Sequence, residues 1–219
     1  MAVRTLNVSE DILSANDALA ENLKKRFDRS GVFVMNLMAS PGAGKTSVIL
    51  RIIESLAEKF KIGVIEGDIA SDVDAKRIGK TDVDVVQINT AGACHLDANM
   101  IRSAADALGL DGKNLVIIEN IGNLVCPAEF KLGENIKVMI LSVPEGHDKP
   151  LKYPLMFTES DALVLNKTDL LPYTDFNMEE LKRTVKAMNP SIEIFPVSAK
   201  TGEGVAELAG WIENQIRGN

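Results

Sequence analysis

Apolar residues along this chain follow two alternating patterns. Short continuous apolar runs are separated by longer stretches in which apolar residues recur every three or four positions. The runs Val32 to Met38, Lys61 to Glu66, Val83 to Ile88, Leu115 to Glu119, Ile136 to Val143, Ala162 to Leu165 and Ile192 to Pro196 read as strands. Helical spacing covers Ser9 to Arg29, Thr46 to Phe60, Leu96 to Leu108, Met178 to Met188 and Val205 to Ile216. Ser9 reads as a cap for the first helix, with Glu10 and Asp11 suited to the positive end of its dipole. Strands that are apolar on both faces and alternate with helices predict an α/β fold. Its central sheet is expected to be mostly parallel and flanked by helices on both faces. In such sheets ligands bind outside the carboxyl ends of the strands, so functional residues are expected just after strands.

The 219 residues suit one domain over 1–219, with an N-terminal helix at about 9–29. A net charge of −7 argues against a nucleic-acid surface and gives no support to a polybasic membrane patch. No apolar run approaches the roughly 20 residues that cross a bilayer. The stretch MAVRTLNVSEDILSAND carries acids where a signal peptide needs apolar residues. Two cysteines make no disulfide framework. These features together predict a cytoplasmic protein.

Ala39-Ser40-Pro41-Gly42-Ala43-Gly44-Lys45-Thr46-Ser47 follows an apolar run and opens a helical one, the setting of a phosphate-binding loop. Backbone N–H groups of such a loop curl around phosphates, and the helix N-terminus adds positive potential. Lys45 can reach the β- and γ-phosphates, and the Thr46 hydroxyl can bind Mg²⁺. Ala39 stands where the first glycine of the motif is usual, and alanine resists positive φ.

Asn166-Lys167-Thr168-Asp169 has the spacing of a guanine reader. The Asp169 carboxylate can accept from the ring N1–H and the 2-amino group of guanine. Adenine offers neither donor on that edge, so ATP would leave a carboxylate unpaired. Lys167 can lie along the base, and Asn166 can tie the loop to the phosphate side. Ser198-Ala199-Lys200 reads as the second base-contacting loop, with the Ala199 N–H aimed at guanine O6.

Glu119 and Gly122, at the end of an apolar run, are placed to bind Mg²⁺ through water and to face a γ-phosphate. Glu66-Gly67-Asp68 ends another run, Asp72 and Asp74 follow, and a carboxylate in this stretch could complete the Mg²⁺ shell or orient the attacking water. No glutamine stands ready to orient water and no arginine finger is evident, so intrinsic hydrolysis is expected to be slow. Cys94, His95 and Cys126 form a thiol and imidazole set suited to Ni²⁺ or Zn²⁺. Three ligands are fewer than these metals take, so water or a second chain related by a two-fold axis must add more. His147 reads as a loop residue.

The segments Ala91 to Leu96, Glu119 to Pro127 (ENIGNLVCP) and Glu66 to Ala75 (EGDIASDVDA) together resemble the hydrogenase nickel-incorporation GTPases, HypB. The adjacency of Cys94 and His95 and the presence of Cys126 set them apart from the urease accessory GTPases, UreG. The resemblance implies a P-loop GTPase that dimerises across nucleotide. It implies GTP on Gly42 to Ser47, Asn166, Lys167, Asp169 and Ser198 to Lys200. It also implies Mg²⁺ near Thr46, Asp74 and Glu119, with Asp68 close to the attacking water. Nickel or zinc would lie on Cys94, His95 and Cys126 at the dimer interface. The implied role is nickel delivery to the large subunit of a [NiFe] hydrogenase with the nickel chaperone HypA. The alternatives are service to another nickel enzyme such as urease, or a metal scaffold that nucleotide locks without functional turnover. An N-terminal CxxCGC motif and a histidine-rich tract, found in some members, are missing from these 219 residues.

Overall fold

The computed structural model describes residues 8–69 and 72–219. In chain order its elements begin α1 (Val8–Arg29), β1 (Phe33–Ala39), α2 (Lys45–Leu56), β2 (Ile62–Asp68), α3 (Val73–Ile78) and β3 (Asp84–Asn89). Then come α4 (Ala98–Leu108), β4 (Leu115–Gly122), α5 (Cys126–Glu129) and β5 (Ile136–Ser142). The chain continues through α6 (Lys149–Lys152), α7 (Pro154–Thr158), β6 (Ala162–Asn166), α8 (Met178–Met188), β7 (Glu193–Pro196) and α9 (Val205–Arg217).

The strands form one seven-stranded sheet in the order β3-β2-β4-β1-β5-β6-β7. Every pairing is parallel, where the apolar runs predicted a mostly parallel sheet. Strand β1 sits between β4 and β5, and every residue of it is buried. On one face, Val48, Ile49, Ile52 and Leu56 of α2 and Leu208 and Ile212 of α9 pack on the sheet. The opposite face carries Leu23 and Phe27 of α1 with Ile101 and Ala105 of α4. Beside them, Met156 and Phe157 of α7 and Leu181 and Val185 of α8 cover β5 and β6. Burial of this many aliphatic side chains on both faces holds the sheet between its helices.

The chain leaves β1 toward β2 on one side of the sheet and reaches β5 on the other, so the order reverses at β1. Such a switch point opens a crevice at the strand's carboxyl end, and the loop that follows β1 lies there. Several element ends differ from the expectation by a few residues. Helix α4 starts at Ala98 because the Asp97 side chain caps it, accepting from Met100 N at 2.8 Å, while Leu96 is fully buried ahead of it. Strand β4 runs past Glu119 to Gly122, three residues beyond the apolar run Leu115 to Glu119, so both residues lie at the strand's end as expected. At the start, α1 already includes Ser9, which therefore lies inside the helix; its side chain is outside the described ones. Among the described residues no helix is long and apolar enough to cross a membrane.

Candidate nucleotide and metal site

The turn between β1 and α2 holds its shape through glycine. Gly42 and Gly44 have φ of 77° and 97°. A Cβ on Gly44 would lie 2.5 Å from Asn166 Nδ2, so position and conformation both require glycine there. Ala39 needs no such freedom: it is the buried last residue of β1, and the described non-glycine residues with positive φ are Ala91 and Lys167. Ser40 Oγ donates to Glu145, whose other oxygen accepts from Ser142 N and Ser142 Oγ at 2.7 Å. Glu145, unmarked in the sequence, thus ties the phosphate loop to the end of β5.

The residues expected to read the base converge on the same loop. Asn166 Nδ2 donates to Ala43 O at 2.9 Å and Lys167 Nζ to Gly42 O at 2.7 Å. Lys167 adopts a left-handed backbone with φ of 63°. Asp169 Oδ1 accepts from Ser198 Oγ at 2.7 Å, and the Ala199 N–H is donated to Asn166 Oδ1 at 3.1 Å. Gly44, Ser47, Asn166, Lys167, Asp169, Ala199 and Lys200 line one cleft.

Acidic groups gather beside Lys45. Thr46 Oγ1 donates to Glu119 Oε1 at 2.9 Å. Glu119 is the parallel register partner of Glu66, and the two are 3% and 2% exposed. Each has an Oε2 with no hydrogen-bond partner. Burial, together with neighbouring Glu119, Asp68 and Asp74, pushes the Glu66 carboxyl up to about 8. Burial raises Glu119 to about 7 against the pull of Lys45 and Thr46. Burial also lowers the Lys45 ammonium, and Glu119, Asp74, Glu66 and Glu145 oppose that shift. Buried carboxylates with orphaned oxygens beside a threonine hydroxyl are the donor set of a hard divalent cation. Asp74 stands in the first turn of α3 and pairs with Arg77 at 3.3 Å. Asp72 pairs with Lys76 at 2.6 Å. The sequence marks Glu66 only as one acid of a strand-end stretch; its burial beside Glu119 becomes visible in the sheet.

At the end of β4, a Cβ on Gly122 would lie 3.1 Å from Pro41 N, so the β4 end rests against the phosphate loop. Four residues on, Cys126 Sγ lies 3.2 Å from Cys94 Sγ, and Cys94 Sγ lies 3.6 Å from His95 Nδ1. One ligand atom from each of Cys94, His95 and Cys126 fits within a 4.8 Å cluster. The His95 ring stacks on Phe130 with centroids 3.8 Å apart. Burial lowers the His95 imidazole, which favours the neutral, metal-binding form. The hydrogen bond with Cys94 comes first among the causes that raise the Cys126 thiol. Asn123 Nδ2 donates to Cys94 O at 3.1 Å, joining two cysteine loops that no local residue pattern links. His147 stays away from this cluster: its Nδ1 accepts from Asn177 N at 3.2 Å, which ties the segment before α6 to the N-cap of α8.

Residues 33–196 match the family described as CobW/HypB/UreG, nucleotide-binding domain. The hydrogenase maturation factor HypB of Azotobacter vinelandii is 52% identical over 97% of this chain and 70% of its own length. The chain belongs to the HypB branch of the CobW/HypB/UreG family. The hydrogenase/urease maturation factor HypB of Helicobacter pylori is 38% identical, over 100% of this chain and 91% of its own length. The crystal structure of Helicobacter pylori HypB in complex with nickel superposes with a TM-score of 0.89 at 38% identity, covering 94% of this chain and 96% of that one. HypB from Archaeoglobus fulgidus gives a TM-score of 0.87 at 35% identity, covering 93% and 99%. Signal recognition particle receptor FtsY from Elizabethkingia anophelis, at 13% identity and a TM-score of 0.56, shares the fold alone. The matched residues 33–196 therefore span the crevice at β1 and Asn166 to Asp169, and end just before Ser198 to Lys200.

Proposed function

We propose that this chain is a GTP-hydrolysing metallochaperone that carries nickel during [NiFe] hydrogenase maturation. Lys45 and the N–H groups of Gly42 to Ser47 hold the phosphates, and Asn166, Lys167, Asp169 and Ser198 to Lys200 read guanine. Thr46, Glu119 and Asp74 hold Mg²⁺, which when bound neutralises charge building on the phosphates. Asp68 orients the attacking water, and Gly122 presents its N–H to the γ-phosphate. Turnover from GTP to GDP and phosphate is slow.

Nickel, with zinc as competitor, is the cargo of Cys94, His95 and Cys126, and a second copy of the chain completes its shell. The single observation that carries this reading is a short connection: Gly122, the last residue of β4, rests on Pro41, and four residues later Cys126 opens α5 against Cys94. A change in the contact at the third phosphate therefore reaches a metal ligand within four residues. The homodimer is supported by large apolar side chains left exposed after several strands: Ile69, Val73, Val125, Leu151 and Leu155. HypA and the hydrogenase large subunit are the proposed donor and acceptor, in the cytoplasm, with no nucleic acid or membrane involved.

The test is nickel release to a colorimetric chelator from protein loaded with nickel and GTP. Release should follow hydrolysis and stall with a non-hydrolysable analogue. Equal release in both would leave a nucleotide-locked scaffold without functional turnover. A second reading, service to urease, is favoured by the combined hydrogenase and urease name of the Helicobacter pylori relative. Supplying both apo-enzymes and measuring which gains nickel separates the two.

A further inference from the structure

The loop that reads the base is anchored at its start, where Val197 and Ser198 are fully buried, while Lys200 and Thr201 are exposed. Between β7 and α9 the chain turns through residues 197–204 without regular structure. Within it Ser198 N donates to Glu203 O at 2.9 Å and Gly202 N to Ser198 O at 2.8 Å. Those bonds close the loop on itself but leave its outward segment, Ala199 and Lys200, to be held from outside.

Two groups hold it. Asn166 Oδ1 accepts the Ala199 N–H at 3.1 Å. On the carbonyl side, Arg51 Nε donates to Ala199 O at 2.8 Å and Arg51 Nη2 to Lys200 O at 3.2 Å. The remaining face of the guanidinium is braced by Glu54, with Nη1 2.8 Å from Oε2. A planar cation with forked donors fits two successive carbonyls in a way a single ammonium cannot.

Arg51 lies in α2, the helix that opens at Lys45. The contacts therefore form a closed ring. The phosphate loop leads into α2, α2 carries Arg51, Arg51 holds Ala199, Ala199 reaches Asn166, and Asn166 returns to Ala43 of the phosphate loop at 2.9 Å. We propose that Arg51 is a specificity-positioning residue: it fixes the Ala199–Lys200 segment relative to the phosphate loop, so that the base loop recognises the O6 edge of a guanine nucleotide. The proposal rests on the guanine-nucleotide reading above. Arg51 does not touch the base; it acts through two backbone carbonyls. Without it the loop keeps Ser198 and its internal bonds but loses the tie to α2, and the O6 contact must order the loop as it forms.

The experiment compares Arg51→Met and Arg51→Lys with the wild-type chain for binding of fluorescent GTP and ATP analogues and of tripolyphosphate. The wild type should favour GTP over ATP. Arg51→Met should lower that ratio by about tenfold, the cost of one lost positioning contact, while tripolyphosphate affinity and the nucleotide-free melting temperature hold. Arg51→Lys, which can reach one carbonyl at a time, should fall between the two. An unchanged GTP-to-ATP ratio in Arg51→Met, or equal losses for all three ligands, would overturn the proposal while leaving the guanine reading in place. If Arg51→Met does not fold, an Arg51→Lys ratio equal to wild type overturns it. A wild type that does not discriminate GTP from ATP overturns the guanine reading and this proposal with it.

Discussion

Glu66 and Glu119 stand side by side in adjacent strands, both almost wholly buried, each with one carboxylate oxygen left without a partner. Two like charges in that position repel, and burial adds to the penalty. The arrangement suits a chain that meets a cation there.

The pH dependence follows from that pair. The Glu66 carboxyl rises from its ordinary 4.5 to about 8 in the fold. Between those values the folded chain holds a proton that the unfolded chain has lost, so stability falls as pH rises across this window. Without metal, the melting temperature should therefore drop between pH 5 and pH 8. Glu66→Gln should flatten that slope and melt higher at pH 8. A metal-free melting temperature that climbs over the same interval contradicts the assignment.

Base specificity should follow one carboxylate. Asp169→Asn exchanges an acceptor for a donor on the edge proposed to meet guanine N1 and the 2-amino group. GTP affinity should fall about 100-fold, and xanthosine triphosphate should bind better than GTP. Competition binding with both nucleotides checks this.

Metal and nucleotide sites should separate by mutation. Cys94→Ala and Cys126→Ala remove the thiols that lie 3.2 Å apart. Tight Ni²⁺ or Zn²⁺ binding should be lost in both variants, with GTP affinity within about twofold of wild type. Metal titrations that match the wild type in both would remove these residues as ligands.

Gly44→Ala should damage the phosphate loop twice over. The φ of 97° is disfavoured for alanine, and the added carbon meets Asn166 Nδ2 at 2.5 Å. A loss of about 1–3 kcal/mol of stability is expected, with GTP affinity reduced well beyond it. Chemical denaturation and nucleotide binding, measured on one preparation, report the two effects.

Dimer formation should depend on the apolar side chains exposed after β5. Leu151 is 67% exposed and Leu155 41%. Leu151→Asp should leave the monomer folded and shift sedimentation in GTP analogue and Mg²⁺ from dimer to monomer. An unaltered dimer would move the interface elsewhere.

Local chemistry made much of this protein legible from its residues. Continuous apolar runs could only be buried strands, and the phosphate loop and the Asn166–Asp169 quartet are read from neighbours in the chain. The short helices α5 to α7 were not legible, because four or five residues with a proline near the start carry no period to recognise. The Ser9 cap failed for a related reason: helix ends are set by competing local bonds.

The sequence alone determined which chemical groups are present and which neighbours they have: a lysine at a helix start, an aspartate three residues after an asparagine, a cysteine four residues after a glycine. Only the tertiary structure decided their company across the chain. Parallel register put Glu66 beside Glu119, and the approach of two loops put Cys94 against Cys126 and Arg51 under Ala199. Those meetings depend on strand order and helix packing, which arise from the whole core at once, and no short stretch of residues encodes them.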